Sequence, residues 1–156
     1  NDFSLDAGIL YFDNGDPETT VKLYEERYVF IAPKSLTVSK EKQITWAEVA
    51  QIPLCLLTQN MKNRQLIDRH FLELEISPSI VTEASDFTAV LAQVAAGNAA
   101  TIAPVSVAET FLDLKSTKQL DLIRPILTHS VGLSIKDQSP VLPMIQALRR
   151  AVKSAL

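Results

Sequence analysis

The chain has 156 residues, 47% of them apolar and 6% aromatic, and its 15 basic and 18 acidic side chains give a formal charge of −3. This length fits one globular domain or two small lobes with a shared core, and it argues against two full-sized domains. The net negative charge provides no positive field for a phosphate backbone, so we expect no direct nucleic-acid binding by this chain. Apolar runs are far shorter than the roughly 20 residues that cross a bilayer, so no membrane partner is expected.

The cysteine content and the first residue lead to two further expectations. Cys55 is the single cysteine, which excludes an intrachain disulfide and a multi-cysteine metal site and suits a reducing, cytoplasmic compartment. The chain begins at Asn1 rather than at Met, and a strand pattern starts within a few residues of it. We therefore expect this chain to be part of a longer protein.

The N-terminal part is predicted to be β-structure. Residues 5–12 form a short apolar strand that is stopped by the turn formers of residues 13–17. Residues 21–32 are rich in β-branched and aromatic side chains and predict a second strand. Residues 33–43 are polar and have no helical period, which predicts a connection over the surface.

From residue 45 onwards the pattern alternates between helix and strand. Thr45 and Glu48 fit a capping box that opens a short helix ending at Ala50. The predicted elements that follow are a strand over 53–57, a helix over 60–75, a strand over 78–82, a helix capped by Ser85 and ended by Gly97, a strand over 99–103, helical turns over 104–111, strands over 120–123 and 130–135, and a final helix opened by Ser139 and Pro140. Because alternating strands and helices need crossover connections, the region from 53 to 111 predicts a parallel sheet.

A sheet of this kind indicates where a ligand would bind. Ligands of open parallel sheets lie outside the carboxyl ends of the strands, where the next helices present unpaired amides. This rule selects three loops, over residues 58–60, 84–86 and 103–104.

The first of these loops carries the most polar side chains. Hydroxyl, amide and guanidinium groups surround one helix N-terminus, from Thr58, Gln59, Asn60, Asn63 and Arg64. A small carboxylate or other oxyanion would bind well there. The alternative is that Asn60 only caps the helix and the other side chains are solvated. In the second loop Ser85 is expected to cap a helix and Asp86 to interact with its dipole, whereas Thr88 on the first turn fits either role.

Catalytic arrangements are weak. His70 lies beside the apolar stripe of a helix and His129 in a linker before a strand, so structural roles are expected for both. Cys55 lies in an apolar strand, where a buried and inert thiol is expected. The chain has no glycine-rich phosphate loop and no metal-ligand spacing. We therefore expect no catalytic residue, no metal and no cofactor.

Several segments, in order, resemble the LysR-type transcriptional regulators. Residues 5–9 (LDAGI) and 23–33 (LYEERYVFIAP) resemble the "LDxGI … L…E.LVLVAP" passage of that family, and residues 44–57 resemble its short helix followed by a "PLILL" strand. The strongest match is over residues 94–104 (VAAGNAATIAP), where the family has "VAAGLGIALLP". Each motif is loose, but their order and spacing cover nearly the whole chain.

The resemblance implies the effector-binding part of such a regulator, with an α/β, type II periplasmic-binding-protein-like fold. Two lobes would be joined by crossing strands, with a small effector in the cleft between them. Residues 1–33 and 129–156 would form part of lobe I, and residues 34–128 would form lobe II. The candidate effector-binding residues are Thr58, Gln59, Asn60, Arg64, Phe87, Thr88, Thr101 and Tyr11.

Two departures from the family affect what is expected. The family's winged helix-turn-helix and the first strands of lobe I would precede this chain, so lobe I is expected to be incomplete and operator DNA to be contacted only through the absent N-terminal domain. An incomplete lobe leaves a strand edge uncovered, which predicts self-association as a dimer or higher oligomer. Asn98 and Ala99 replace an apolar residue and a glycine, so the turn after Gly97 is expected to differ locally.

The expected function is therefore sensing rather than catalysis. A small, anionic metabolite would bind, change lobe closure, and so act on an attached DNA-binding domain. One alternative is a solute-binding protein of a transport system with the same fold. Another is an enzyme with a two-lobed α/β fold, against which the scarcity of histidine and the lack of a paired catalytic set argue.

Overall fold

The structure, a computed structural model, describes residues 6–12, 20–37, 42–111, 113–135 and 142–155. It divides the chain into two compact units. Unit 1 comprises Asn1–Glu26 with His129–Leu156, and unit 2 comprises Arg27–Thr128. In chain order the helices and strands are β1 (Ala7–Phe12), β2 (Thr20–Pro33), β3 (Gln43–Thr45), α1 (Trp46–Ala50), β4 (Leu54–Leu57), α2 (Lys62–Glu73), β5 (Ile80–Ala84), α3 (Phe87–Ala95), β6 (Thr101–Pro104), α4 (Val105–Phe111), β7 (Thr117–Ile123), β8 (Thr128–Ile135) and α5 (Pro143–Ala155).

Unit 1 is built on antiparallel pairing between β1 and β8. The register runs from Ala7 opposite Ile135 to Phe12 opposite Ser130, and β8 lies between β1 and β2. At Gly132 an added Cβ would come within 2.6 Å of the Phe12 ring, so the close approach requires glycine.

The core of unit 1 lies where β8 meets α5. Leu133, Ile135 and Ile145 form its buried cluster, and Val152 packs against them from the same helix. The spacing of Ile145 and Val152 places both on one helical face, as the apolar pattern predicts. The predicted start of this helix at Ser139 and Pro140 lies outside the described residues, as do residue 5, the turn over 13–17 and residues 38–41.

Unit 2 contains an antiparallel ladder on the second half of β2. Phe30 of β2 lies opposite Ile102 of β6 on one side and opposite Leu120 of β7 on the other, and β3 pairs with β7 in parallel. Phe30 and its neighbours are fully buried, which explains why this stretch is almost continuously apolar.

The predicted parallel sheet is confirmed for β4 and β5, and the third predicted strand, over residues 99–103, joins β4 at one parallel bridge. β4 and β5 form a parallel ladder in which Leu57 lies opposite Ala84. Leu54 and Ala100 form the bridge, in which the Cys55 amide donates to the Ala100 carbonyl and the Ala100 amide to the Pro53 carbonyl, each at 2.9 Å. β6, which follows Ala100, also pairs antiparallel with β2. The pairing of β6 with β2 joins distant parts of the chain, so it cannot be seen in local sequence periodicity.

The capping predictions have mixed outcomes. Thr45 and Glu48 form the complete capping box of α1, and Gly97 follows α3 with a φ of +83°, the left-handed conformation expected of it. The cap of α3, however, is Asp86 and not Ser85: its carboxylate accepts from the Ala89 amide at 2.9 Å. An aspartate at this position adds a charge that suits the helix dipole to the hydrogen bond, so it is the better cap.

Trp46 anchors the core of unit 2. Its ring is fully buried and lies edge-on to His70 and Phe71, with centroid distances of 4.3 and 5.0 Å. Its Nε1–H donates to the Pro125 carbonyl at 2.9 Å, so the polar atom is satisfied. This cluster ties α1 and α2 together and fixes the helix whose first turn borders the site.

Candidate functional site

The carboxyl ends of β4 and β5 lie side by side and bring two of the predicted loops together. The Thr58 amide, just after β4, donates to the Ala84 carbonyl at the end of β5 at 3.0 Å. Thr58 is half-buried, whereas Gln59 and Asn60 are exposed. The polar loop therefore lies exposed at the carboxyl ends of the two parallel strands, where ligands of such sheets bind.

The loop is held in a tight turn before α2. The Met61 amide donates to the Thr58 carbonyl at 3.0 Å, and the Gln65 side chain donates to the Gln59 carbonyl at 3.2 Å. The helix begins at Lys62 after Met61, which makes no side-chain cap. The alternative that Asn60 only caps this helix is therefore wrong, because the N-cap position is Met61 and Asn60 precedes it.

Arg64 is a buried cation at the centre of a charge network whose two carboxylates are partly exposed. Its Nε donates to both oxygens of Asp68 at 2.8 and 2.9 Å, and its Nη1 donates to the Leu57 carbonyl at 2.7 Å and to Glu83 Oε1 at 2.6 Å. The Arg64 side chain is only 4% exposed. This guanidinium links α2 to the ends of β4 and β5, and its Nε and Nη1 donors face protein oxygens.

The electrostatics of the loop follow from this network. The hydrogen bond from Arg64 lowers the pKa of Glu83, and a further hydrogen bond from the Gln59 side chain lowers it too, against desolvation that raises it. The single positive charge of Arg64 faces the two carboxylates of Asp68 and Glu83. These two carboxylates outnumber the single cation, and the assignment of Arg64 to a bound anion stays a prediction.

The other four candidate residues lie on α3, β6 and β1 and differ in their exposure. Phe87 is half-buried at the start of α3 and packs against two buried clusters, one of which contains Cys55 and Leu57 of β4. Thr88 lines a separate groove of about 240 Å³ with Leu91 and Phe111. Thr101 is fully buried in β6. Tyr11 lies on β1 in unit 1, with its ring 6.4 Å from that of His129.

Thr58, Gln59 and Asn60 thus lie in one loop beside the end of β5, whereas Thr88 lines another groove and Thr101 is buried in β6. Sequence reasoning missed Glu83 and Asp68. The four-residue spacing from Arg64 to Asp68 on one helix is a signal that could have found the second carboxylate. Glu83 is nineteen positions from Arg64 in the chain, and its role depends on the pairing of β4 with β5.

The expected structural roles of the histidines and the cysteine agree with their surroundings. His70 Nδ1 lies 3.7 Å from Glu73 Oε2, and its ring packs against Trp46. Cys55 is buried, and desolvation raises the pKa of its thiol. Within the described residues, no group of three or more His, Cys, Asp or Glu side chains is placed to hold a metal ion.

A match to a protein-family model identifies the family of the chain. The model described as LysR substrate binding domain matches residues 1–156. The chain belongs to this family. No curated protein matches the sequence. Over the described residues, no helix of this LysR substrate-binding domain is long and apolar enough to span a membrane.

Solved structures share its fold at low sequence identity. The regulatory domain of Synechocystis PCC6803 CcmR in complex with 2-PG is 10% identical with a TM-score of 0.83, over 96% of this chain and 73% of that one. The effector binding domain of QuiR in complex with shikimate is 20% identical with a TM-score of 0.75, over 94% and 69%. Full-length CbnR in complex with its target DNA is 20% identical with a TM-score of 0.75, over 96% and 50%.

These matches confirm the expected fold class and family. The architecture is the periplasmic-binding-protein-like α/β fold of LysR substrate-binding domains, and the transport alternative is not favoured. The chain spans about half of full-length CbnR.

Proposed function

We propose that this LysR substrate-binding domain senses a small polar metabolite at the loop over residues 58–60. The proposal depends on the junction of this loop with the end of β5. There the Thr58 amide donates a hydrogen bond to the Ala84 carbonyl, while Gln59 and Asn60 remain exposed. Hydroxyl and amide groups that converge at the carboxyl end of a parallel strand pair are typical of a small-ligand site.

The proposed contacts come mainly from neutral groups. Thr58, Gln59 and Asn60 offer a hydroxyl and two carboxamides, and the N-terminal amides of α2, which no N-cap side chain covers, follow them directly. We leave Arg64 and Thr101 out of this contact set, because Arg64 is paired with protein oxygens and Thr101 is fully buried.

A carboxylate-bearing ligand remains the class we propose. Neutral hydrogen-bond donors and helix amides bind a single carboxylate without a cationic side chain. The neighbouring Glu83 adds negative charge at this edge, which favours a ligand of low charge over a multiply charged anion. We propose that the half-buried Phe87 at the start of α3 contacts the apolar body of such a ligand.

The wider role is that of a regulator. We propose that ligand binding is transmitted to a DNA-binding domain elsewhere in a full-length, cytoplasmic, self-associating regulator, and that operator DNA is contacted there. Membership of the LysR substrate binding domain family supports this. The energy for any conformational change must come from the ligand's different affinities for two states.

The test measures thermal stabilisation by small carboxylates. Shikimate and simple mono- and dicarboxylates are added one at a time, and a ligand at a hundred times its Kd should stabilise the folded state by about 2.7 kcal/mol. For a chain of this length that raises the Tm by about 5–10 °C. Thr58→Ala combined with Asn60→Ala should abolish the shift.

A matched control uses the opposite ends of the same two strands. Gln51 and Ser77 are exposed polar residues that precede β4 and β5, so Gln51→Ala combined with Ser77→Ala should leave the ligand shift unchanged. An undiminished shift in the Thr58 and Asn60 double variant would contradict the assigned site. Failure of every carboxylate to shift the wild-type Tm would contradict the proposed ligand class.

A further inference from the structure

The peptide group between Leu57 and Thr58 is held on both of its polar sides. Its carbonyl, on Leu57, accepts from Nη1 of Arg64 at 2.7 Å, and its N–H, on Thr58, donates to the Ala84 carbonyl of β5 at 3.0 Å. Because a peptide group is planar and these two bonds lie on opposite sides of it, together they restrict its rotation. This plane leads directly into the first residue of the proposed ligand loop.

The next peptide group is held as well. The Thr58 carbonyl accepts from the Met61 amide at 3.0 Å, and the Met61 carbonyl accepts from the Gln65 amide at 3.1 Å as α2 begins. Thr58 is therefore bonded to β5 through its amide and to the turn before α2 through its carbonyl. The bond to the Leu57 carbonyl comes from a side chain, so a substitution of Arg64 removes it without changing the backbone.

Arg64 is itself anchored at both ends of its guanidinium. Nη1 also donates to Glu83 Oε1 at 2.6 Å, Nε donates to Asp68 Oδ1 at 2.8 Å, and the side chain is 4% exposed. A guanidinium is planar and directs its donors along fixed lines, so a buried one that is bonded at both ends holds an acceptor in one place. Glu83 immediately precedes Ala84, so Arg64 and the Thr58 amide attach to neighbouring residues of β5.

We propose that Arg64 is a positioning residue: its Nη1 group holds the peptide plane between Leu57 and Thr58 and so keeps Thr58 in the conformation that binds ligand. This inference deepens the proposed function and rests on it for the identity of the ligand loop. A loop that is already ordered loses less conformational entropy when a ligand binds, so Arg64 raises affinity without contacting the ligand.

The experiment measures amide hydrogen exchange at the two ends of β4 in the protein without ligand. The reporter is the Thr58 amide, whose peptide plane Arg64 holds. The reference is the Leu54 amide, which donates to the Ser79 carbonyl at 2.8 Å at the other end of the same strand. A general loss of stability raises exchange at both ends, whereas loss of positioning raises exchange at Thr58 relative to Leu54.

Two variants separate the positioning bond from the rest of the charge network. Arg64→Lys keeps the positive charge but replaces the planar fork with a single nitrogen on a shorter side chain. It should raise exchange at Thr58 relative to Leu54 about three- to tenfold. Asp68→Ala removes the partner of Nε and leaves both bonds of Nη1 in place, so this exchange ratio should stay within about twofold of wild type.

A third variant controls for stability. Ile67 is buried on α2, and Ile67→Val lowers the stability of the core while the bonds of the Leu57 peptide remain. Its exchange ratio should stay within about twofold of wild type although its urea midpoint falls. An unchanged ratio in Arg64→Lys, or an equal rise in Asp68→Ala or Ile67→Val, would overturn the proposal.

Titration with shikimate then distinguishes positioning from direct contact and from the proposed function. Arg64→Lys should weaken shikimate binding about as much as it raises exchange at Thr58, and Asp68→Ala should leave binding unchanged. Weaker binding with a wild-type exchange ratio would mean that Arg64 contacts the ligand directly, and unchanged binding despite faster exchange would also contradict positioning. If exchange responds as expected but no carboxylate binds the wild-type protein, Arg64 still orders this loop and the proposed ligand class is wrong.

Discussion

Replacing Arg64 with alanine tests whether the charge network of this buried cation stabilises unit 2. The guanidinium is 4% exposed and donates to the Leu57 carbonyl at 2.7 Å. Loss of this donor leaves a carbonyl in a buried strand without its partner, which costs about 1–3 kcal/mol. Loss of the packed aliphatic stem adds about 2 kcal/mol. The Asp68 and Glu83 carboxylates are partly exposed and regain water, so we expect a total of about 3–5 kcal/mol.

The assay is urea unfolding followed by the fluorescence of Trp46, the single tryptophan and a fully buried residue of unit 2. With an m-value of about 2 kcal/mol/M, the midpoint for Arg64→Ala should fall by about 2 M. The control is Arg69→Ala, because Arg69 is exposed on the same helix and its loss should cost less than about 0.5 kcal/mol. Equal midpoints for the two variants would refute the assignment of Arg64 to a stabilising role.

Three further predictions follow from single residues. Gly97 has a φ of +83°, so Gly97→Ala should destabilise unit 2 by about 1–2 kcal/mol, whereas an asparagine there should cost less; equal urea midpoints for the two would contradict this. The Arg64 hydrogen bond lowers the pKa of Glu83 below its ordinary value of 4.5, so the stability from this group is complete above pH 4.5 and is lost as the pH falls through its native pKa. Urea midpoints from pH 7 to pH 3 should therefore fall less steeply for Glu83→Gln than for wild type, and parallel curves would rule out this linkage. Cys55 is buried and its pKa is raised by desolvation, so a thiol reagent should label it at least about 100-fold faster in denaturant than in the folded protein; rapid labelling of the folded protein would show that the strand is open.

Local chemistry was enough to predict several features of the structure. The capping box at Thr45 and Glu48 and the left-handed Gly97 involve groups within a few residues of one another. The parallel pairing of β4 with β5 follows from their connection through a helix. From that pairing, the position of the loop over residues 58–60 beside the end of β5 could be predicted without any knowledge of the family.

Features that depend on distant partners could not be predicted in the same way. β6 pairs antiparallel with β2, and the two strands lie far apart in the chain. Asp86 displaces Ser85 as the cap of α3 through a shift of a single residue, which local propensity does not resolve.

For Arg64, too, the sequence predicts the group that is present, and the tertiary structure decides its partners. Because Arg64 lies near a polar loop in the sequence, its guanidinium was predicted to bind an anionic ligand. The sequence alone determined that a positive charge would lie at this end of the sheet. Whether that charge faces a ligand or the protein depends on Glu83, which reaches Arg64 only because β5 lies beside β4. Short-range spacing determines which groups a segment carries, whereas the partners of those groups come from strands that meet only in the folded chain.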